Sequence, residues 1–264
     1  MPERFRDRVT VITGAASGIG AETARRFARE GASVVIADLN AEAAEAVSRE
    51  IRDASGRAEA AVVDVGDERA FAALLEELAG RHGRLDVLVN CAFAMVAGPL
   101  ESLSTEDWRR CFEVTLHGTF FGLRAALRIM SSRGGGAIVN ISSLAAQGGQ
   151  ASLGGYGAAK AGVENLTRSA AVEAAAAGIR VNAVAPGAVA TAGTLAVYPE
   201  GTPQRRALEK LMPAGRLTQP HEIANAVLFL ASDEASGING QILNVDCGQS
   251  AVLGAPELEE GWGQ

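Results

Sequence analysis

Tyr156 and Lys160 stand four residues apart in Gly155-Tyr-Gly-Ala-Ala-Lys160, with Ser143 thirteen residues upstream of the tyrosine. Positions i and i+4 of a helix share a face, so the lysine ammonium can stand beside the phenol and favour its deprotonated form. A free tyrosine titrates near pH ~10, and each unit of lowering requires ~1.4 kcal/mol of differential stabilisation of the phenolate. A phenol lowered in this way exchanges a proton with an alcohol or carbonyl oxygen near neutral pH. The same spacing also describes an ordinary surface pair. The beginning of the chain separates the two readings.

Arg8-Val-Thr-Val-Ile-Thr13 is apolar and rich in β-branched residues, the pattern of a buried strand. It runs into Gly14-Ala-Ala-Ser-Gly18-Ile-Gly20 and then a helical pattern, Ala21–Glu30. Glycines there permit a tight turn, close approach of backbone to a pyrophosphate, and close helix-to-strand packing. The helix N-terminus presents free N–H groups and partial positive charge to the phosphates. A second strand, Ser33-Val-Val-Ile-Ala37, ends at Asp38, eighteen residues beyond Gly20. A carboxylate there accepts hydrogen bonds from an adenosine ribose and repels a 2′-phosphate; the alternative is that Asp38 caps the next helix. Ser17 precedes Gly18 and Leu39 follows Asp38, so no basic side chain stands ready for that phosphate. NAD is expected in preference to NADP.

The elements that must position these residues follow the same alternation. Strand-like runs at Val34–Ala37, Ala60–Val63, Val87–Val89, Ala137–Ile141, Val181–Val184 and Ile242–Val245 alternate with longer helical patterns. Such alternation predicts a parallel sheet with helices on both faces. With 264 residues, 48% of them hydrophobic, one α/β domain over residues 1–264 is expected. Ser104-Thr-Glu-Asp107 reads as a cap opening a long helix to about Met130, in which Gly118 and Gly122 permit close packing. Ala170–Ala177 is helix-forming. Residues 192–215 are the least regular internal segment, around a short helical pattern at Gln204–Met212. The acidic tail, about 251–264, either is loose or anchors through Trp262 on a neighbouring subunit.

A net charge of −7 argues against a general affinity for nucleic acid. No run of ~20 apolar residues provides a membrane span, and the N-terminus lacks a signal-peptide pattern. Cys91, Cys111 and Cys247 read as reduced thiols, and His82, His117 and His221 show no zinc-ligand spacing. A cytoplasmic protein without a metal is expected.

Taken together, these residues resemble the short-chain dehydrogenase/reductase family over residues 8–250. Thr13–Gly20 matches its cofactor loop and Asp64-Val65 its adenine-contacting pair. Asn90 begins a segment similar to its Asn-Asn-Ala-Gly stretch, and Ser143, Tyr156 and Lys160 fall at its catalytic spacing. Pro186-Gly187, followed by Val189 and Thr191, resembles the segment over the nicotinamide. The resemblance implies a Rossmann-type doubly wound fold, a mostly parallel seven-stranded sheet with helices on both faces. It implies cofactor contacts from Gly14, Ser17, Gly18, Ile19, Gly20, Asp38, Leu39, Asp64, Val65, Asn90, Pro186, Gly187, Val189 and Thr191, joined by Tyr156 and Lys160. Tyr156 would be the general acid/base and Ser143 would orient the substrate oxygen. Lys160 would lower the phenol and bind the nicotinamide ribose. Ser142, beside Ser143, reads instead as a strand-end hydroxyl that satisfies backbone groups. The segment 192–215 becomes a substrate lid, and a homo-oligomer, dimer or tetramer, is implied.

Departures from the family pattern define the open questions. Thr115 stands where the family carries the asparagine of a water-linked proton relay behind the lysine. Phe93 and Cys91 replace a glycine and an asparagine of Asn-Asn-Ala-Gly, and Cys247 replaces a glycine near the last strand. Phe93 either adds an apolar group near the cofactor or packs away from it. The implied reaction is hydride transfer between NAD and a secondary alcohol or its ketone. The competing reading is a dinucleotide-binding sensor whose catalysis has faded. Phe93, Met95, Val96, Leu144, Leu153, Leu195, Tyr198, Leu208, Leu211 and Met212 are the candidates for an apolar pocket taking a cyclic, terpenoid, steroid-like or aryl alcohol; those on the lid are equally readable as packing residues.

Overall fold

Seven short apolar runs pair into one sheet in a computed structural model that describes residues 3–252. In chain order the elements are β1 (Val9–Thr13), α1 (Gly18–Arg29), β2 (Ser33–Asp38), α2 (Ala41–Asp53), β3 (Arg57–Val62), α3 (Glu68–His82) and β4 (Val87–Asn90). There follow α4 (Thr105–Cys111), α5 (Gly118–Ser131), β5 (Gly136–Ile141), α6 (Gly154–Ala174) and β6 (Ile179–Pro186). The last are α7 (Ala192–Val197), α8 (Pro203–Glu209), α9 (Pro220–Ala231) and β7 (Ile242–Val245). The sheet order is β3-β2-β1-β4-β5-β6-β7. All of its pairings are parallel, where a mostly parallel sheet was expected. Trp262 and the rest of 253–264 lie outside the described residues.

Alternation along each strand divides the core between two faces. Ile12, Ile36, Val89 and Val139 pack with Phe27 of α1, Val47 of α2 and Val227 of α9. Val11, Val35, Leu88 and Ile138 pack on the other face with Leu75 of α3, Met130 of α5 and Ala171 of α6. The chain winds outward from β1 through β2 to β3, then crosses back to β4 and winds the other way. Ligands of open α/β sheets bind at such a switch point, beyond the carboxyl ends of the strands.

The long helix expected from Ser104 to Met130 is two α-helices joined by a π-helical turn at Phe112–His117. Single π-turns within helices concentrate at functional sites. Gly118 and Gly122 serve close packing: a Cβ would come within 2.8 Å of Val65 Cγ2 at the first and 2.6 Å of Asn90 Oδ1 at the second. No helix among the described residues is long and apolar enough to cross a membrane.

Candidate active site

A cleft of about 950 Å3 runs across the carboxyl ends of the central strands, with Gly14, Asp38, Cys91, Ser142 and Pro186 each contributing to its wall just beyond or at the end of a different strand. This lies at the upper end of ligand-pocket sizes. At one side is the glycine turn. Gly14 is left-handed (φ 63°), and a Cβ on it would stand 2.8 Å from Ala92 Cα; one on Gly20 would stand 2.3 Å from the Gly14 carbonyl oxygen. These positions hold bare backbone against bare backbone. The turn feeds α1, whose N-terminus carries no side-chain cap, whereas Asn40, Asp67, Ser104, Thr191 and Thr202 cap α2, α3, α4, α7 and α8. An uncapped helix start facing a cleft leaves its amides to an anion.

Asp38 ends β2 and does not cap α2, a role taken by Asn40. Its Oδ2 accepts from Ala16 N–H at 3.0 Å and its Oδ1 from Asn40 N–H at 2.9 Å. The carboxylate thereby steadies the glycine turn and keeps lone pairs for a ligand hydroxyl. Leu39, Asp64, Val65, Val189 and Thr191 line the same cleft, in which the basic side chains are Arg110 and Lys160. The residues present fit a nicotinamide dinucleotide: an open anion site at α1, and an acid at the ribose position.

Ser143, Tyr156 and Lys160 converge on this cleft. Tyr156 and Lys160 lie one turn apart in α6, buried to 9% and 1% exposure. Ser143 opens the 3-10 turn Leu144–Ala146 after β5, its Oγ accepting from Ala145 N–H at 3.2 Å. Lys160 Nζ donates to the Ile141 carbonyl at 2.5 Å and lies 5.7 Å from the Tyr156 ring centroid. Ser142, expected to satisfy backbone groups, instead donates its Oγ to the Glu164 carboxylate, at 3.1 Å from Oε1.

Burial dominates the acid–base pair. It lowers the Lys160 ammonium to about 8, with the neighbouring Cys91 thiol pulling it back up. It raises the Tyr156 phenol to about 12, the Ser143 hydroxyl opposing the rise and Cys91 and Cys111 adding to it. The spacing predicted a phenol lowered by Lys160. The structure gives the opposite direction: desolvation dominates both groups, and the ammonium is directed at the Ile141 carbonyl.

The linkage has a defined direction. Between its folded value of about 8 and its ordinary 10.5, Lys160 holds fewer protons folded than unfolded, so stability rises with pH through that window and is lost as pH falls through about 8. Tyr156 acts oppositely, removing stability as pH rises from 10.0 towards about 12. Cys91, whose thiol burial raises from 9.0 to about 11, acts in the same sense as Tyr156, so the urea-unfolding free energy of the ligand-free protein should climb by about 1–2 kcal/mol between pH ~7.5 and ~9 and turn down above ~10. In Lys160→Met the climb should be flat. A wild-type curve parallel to that of the variant would contradict the buried, uncompensated lysine.

Not every expected site residue faces the cleft. Asn90 pairs with Asn140 across the sheet, its Nδ2 donating to Asn140 Oδ1 at 2.9 Å, and at 3% exposure it turns into the sheet. Strand alternation, which puts its neighbour Cys91 at the cleft, makes Asn90 a sheet-bracing side chain. Phe93, Met95, Leu144, Leu153, Tyr198, Leu208 and Leu211 line the cleft, while Val96 and Leu195 do not and Met212, within the segment 192–215, is buried. Glu164 was missed. It accepts from Ser142, from Gln147 Nε2 at 2.9 Å and from Arg168 Nη2 at 3.3 Å, bracing the strand end that carries Ser143. The signal was present: Tyr156, Lys160 and Glu164 form an i, i+4, i+8 stripe.

A family model described as enoyl-(acyl carrier protein) reductase matches residues 14–250. The chain is 51% identical over 253 residues to the cis-4-hydroxycyclohexanecarboxylate dehydrogenase of Sinomonas cyclohexanicum, covering 96% of this chain and 100% of that protein. Among solved structures it is similar to a 7α-hydroxysteroid dehydrogenase complexed with NADH and 7-oxo glycochenodeoxycholic acid (TM-score 0.88, 37% identity, 93% of this chain and 95% of that one). It is equally similar to a gluconate 5-dehydrogenase of Burkholderia cenocepacia J2315 in complex with NADP and tartrate (TM-score 0.90, 35% identity, 95% and 98% covered).

Proposed function

The chain belongs to the short-chain dehydrogenase/reductase family, and from that premise we propose that it oxidises an apolar, cyclic secondary alcohol, or reduces the matching ketone, with NAD. It is an oxidoreductase of CH–OH groups that works with a nicotinamide dinucleotide. The observation that carries the finer reading is the convergence of Ser143, Tyr156 and Lys160 on the cleft that also holds the glycine turn, Asp38 and an apolar wall.

The dinucleotide, when bound, supplies the hydride acceptor or donor. The α1 amides with Gly14, Ser17, Gly18, Ile19 and Gly20 would hold its pyrophosphate. Asp38 with Leu39 would hold the adenosine ribose, Asp64 and Val65 the adenine, and Pro186, Gly187, Val189 and Thr191 the nicotinamide. In oxidation Tyr156 Oη takes the substrate hydroxyl proton as the phenolate, the form that burial disfavours and that the Lys160 ammonium beside the ring must stabilise during turnover, while Ser143 Oγ orients the same oxygen. Reduction returns the proton to the carbonyl oxygen. The apolar wall of Phe93, Met95, Leu144, Leu153 and Tyr198 excludes water from the reacting carbon. The segment 192–215, part of which lines the cleft, closes over the substrate as a lid. We place the protein in the cytoplasm on its three free cysteines, and expect a homodimer or homotetramer.

The substrate class draws on the apolar wall and on the cyclic alcohol named for the Sinomonas relative. NADH formation should be measured with cyclohexanol, 4-hydroxycyclohexanecarboxylate and linear secondary alcohols and diols. Ring alcohols should give the highest kcat/KM. Tight NAD binding without turnover across the panel would instead mark a dinucleotide-binding module that has lost its chemistry.

A further inference from the structure

Two family departures, Thr115 and Phe93, are joined through a single residue, Ala94. Thr115 is fully buried in the π-helical turn. Its Oγ1 accepts from Ala94 N–H at 3.0 Å and donates to the Ala94 carbonyl at 3.2 Å. Between Phe93 and Ala97 the chain has no regular secondary structure. Among the described residues, those two bonds are the ones that hold this stretch. Next to the clamped residue, the Phe93 ring stands edge-on to Tyr156, centroids 6.0 Å apart and planes at 62°. Lys160 Nζ lies 5.7 Å from the Phe93 centroid. Phe93, 54% exposed as a residue, lines the cleft.

We propose that Thr115 is a positioning residue whose grip on Ala94 holds Phe93 as an aromatic wall against the Tyr156–Lys160 pair, and that this wall selects cyclic over small open-chain secondary alcohols. The inference rests on the oxidoreductase reading above and names what sets its selectivity. A saturated ring whose carbinol oxygen reaches Tyr156 can lay its body on the Phe93 face, gaining dispersion contact and removing apolar area from water. A three- or four-carbon chain covers little of that face. A relay through Thr115 fits the geometry less well: the single hydroxyl proton goes to Ala94, the Thr115 carbonyl accepts from Thr119 Oγ1 at 2.7 Å, and Lys160 donates to Ile141.

The readout is the ratio of kcat/KM for cyclohexanol to that for 2-propanol, with NAD saturating. Phe93→Ala should lower the ratio by about 10–100-fold, in line with what hydrophobic pocket contacts discriminate. Thr115→Val, which keeps shape and loses the hydroxyl, should lower it in the same direction. Thr115→Ser, which keeps the hydroxyl, should restore it. The double variant Phe93→Ala/Thr115→Val should be no worse than Phe93→Ala, since both act through one ring. Should Thr115→Val not fold, Phe93→Ala beside Phe93→Tyr carries the test: the ratio falls only when the ring is lost. An unchanged ratio in Phe93→Ala overturns the proposal. So does a Thr115→Val that slows both alcohols equally and additively with Phe93→Ala, the behaviour of a proton relay. Wild-type protein inactive on cyclohexanol would overturn the cyclic-alcohol reading on which the proposal rests, and the proposal with it.

Discussion

Tyr156→Phe should lower kcat by about 10²–10⁴-fold, the range of a lost general acid/base, and leave dinucleotide affinity nearly unchanged. The substitution deletes one oxygen. The ring stays, with its edge contact to Phe93 and its place in α6 at 9% exposure, and a phenol that burial holds protonated is replaced by a group that needs no partner. Neighbouring atoms are poorly placed to take over the proton. Ser143 Oγ is oriented by Ala145 N–H and the Lys160 ammonium donates to the Ile141 carbonyl. Steady-state rates with cyclohexanol and a fluorescence titration with NADH separate the two effects. A variant at wild-type rate would remove Tyr156 from the chemistry. One that loses NADH binding together with turnover would make the side chain a structural support of the cleft.

What could be read from residues alone follows the kind of constraint each residue answers. The glycine turn was legible because the constraints are backbone ones that only glycine meets cheaply: Gly14 and Gly18 have φ of 63° and 53°, and Gly20 touches the Gly14 carbonyl. The parallel sheet was legible because strands buried on both faces need continuous apolar runs. The pairing of Tyr156 with Lys160 was legible because helical spacing fixes which side chains share a face. Spacing says nothing of solvent, however, and it was desolvation that decided the sign of the phenol shift. The π-turn at Phe112–His117 was equally hidden. One extra residue in a helical turn alters no hydrophobic pattern strongly, yet it aims Thr115 at Ala94. Asn90 could have been placed from alternation within β4. Cys247 could not: its φ of 56° explains why a glycine is usual there, and that angle is visible only in the structure.

The cofactor preference should turn on two adjacent residues. In wild type, kcat/KM with NAD should exceed that with NADP; in Asp38→Asn/Leu39→Arg the ratio should fall by about 10²-fold or more, since ~1.4 kcal/mol is tenfold and a carboxylate facing a phosphate is replaced by a guanidinium that pairs with it. Asparagine is the right replacement for Asp38 because the side chain has a second duty. Its Oδ2 accepts from the Ala16 N–H and its Oδ1 from the Asn40 N–H; alanine would leave both unpartnered and loosen the turn that every dinucleotide needs, whereas asparagine, with its single acceptor oxygen turned to Ala16, keeps the bond that steadies the turn. Leu39 is 64% exposed at the cleft edge, so an arginine there displaces no core contact. Leu39→Arg alone should move the ratio far less, because the new cation would pair with Asp38 before it met a phosphate. The single variants make the argument specific. If Leu39→Arg alone reversed the preference, repulsion by Asp38 would not be what excludes NADP. If the double variant kept the wild-type ratio, the ribose would be bound somewhere other than at the end of β2.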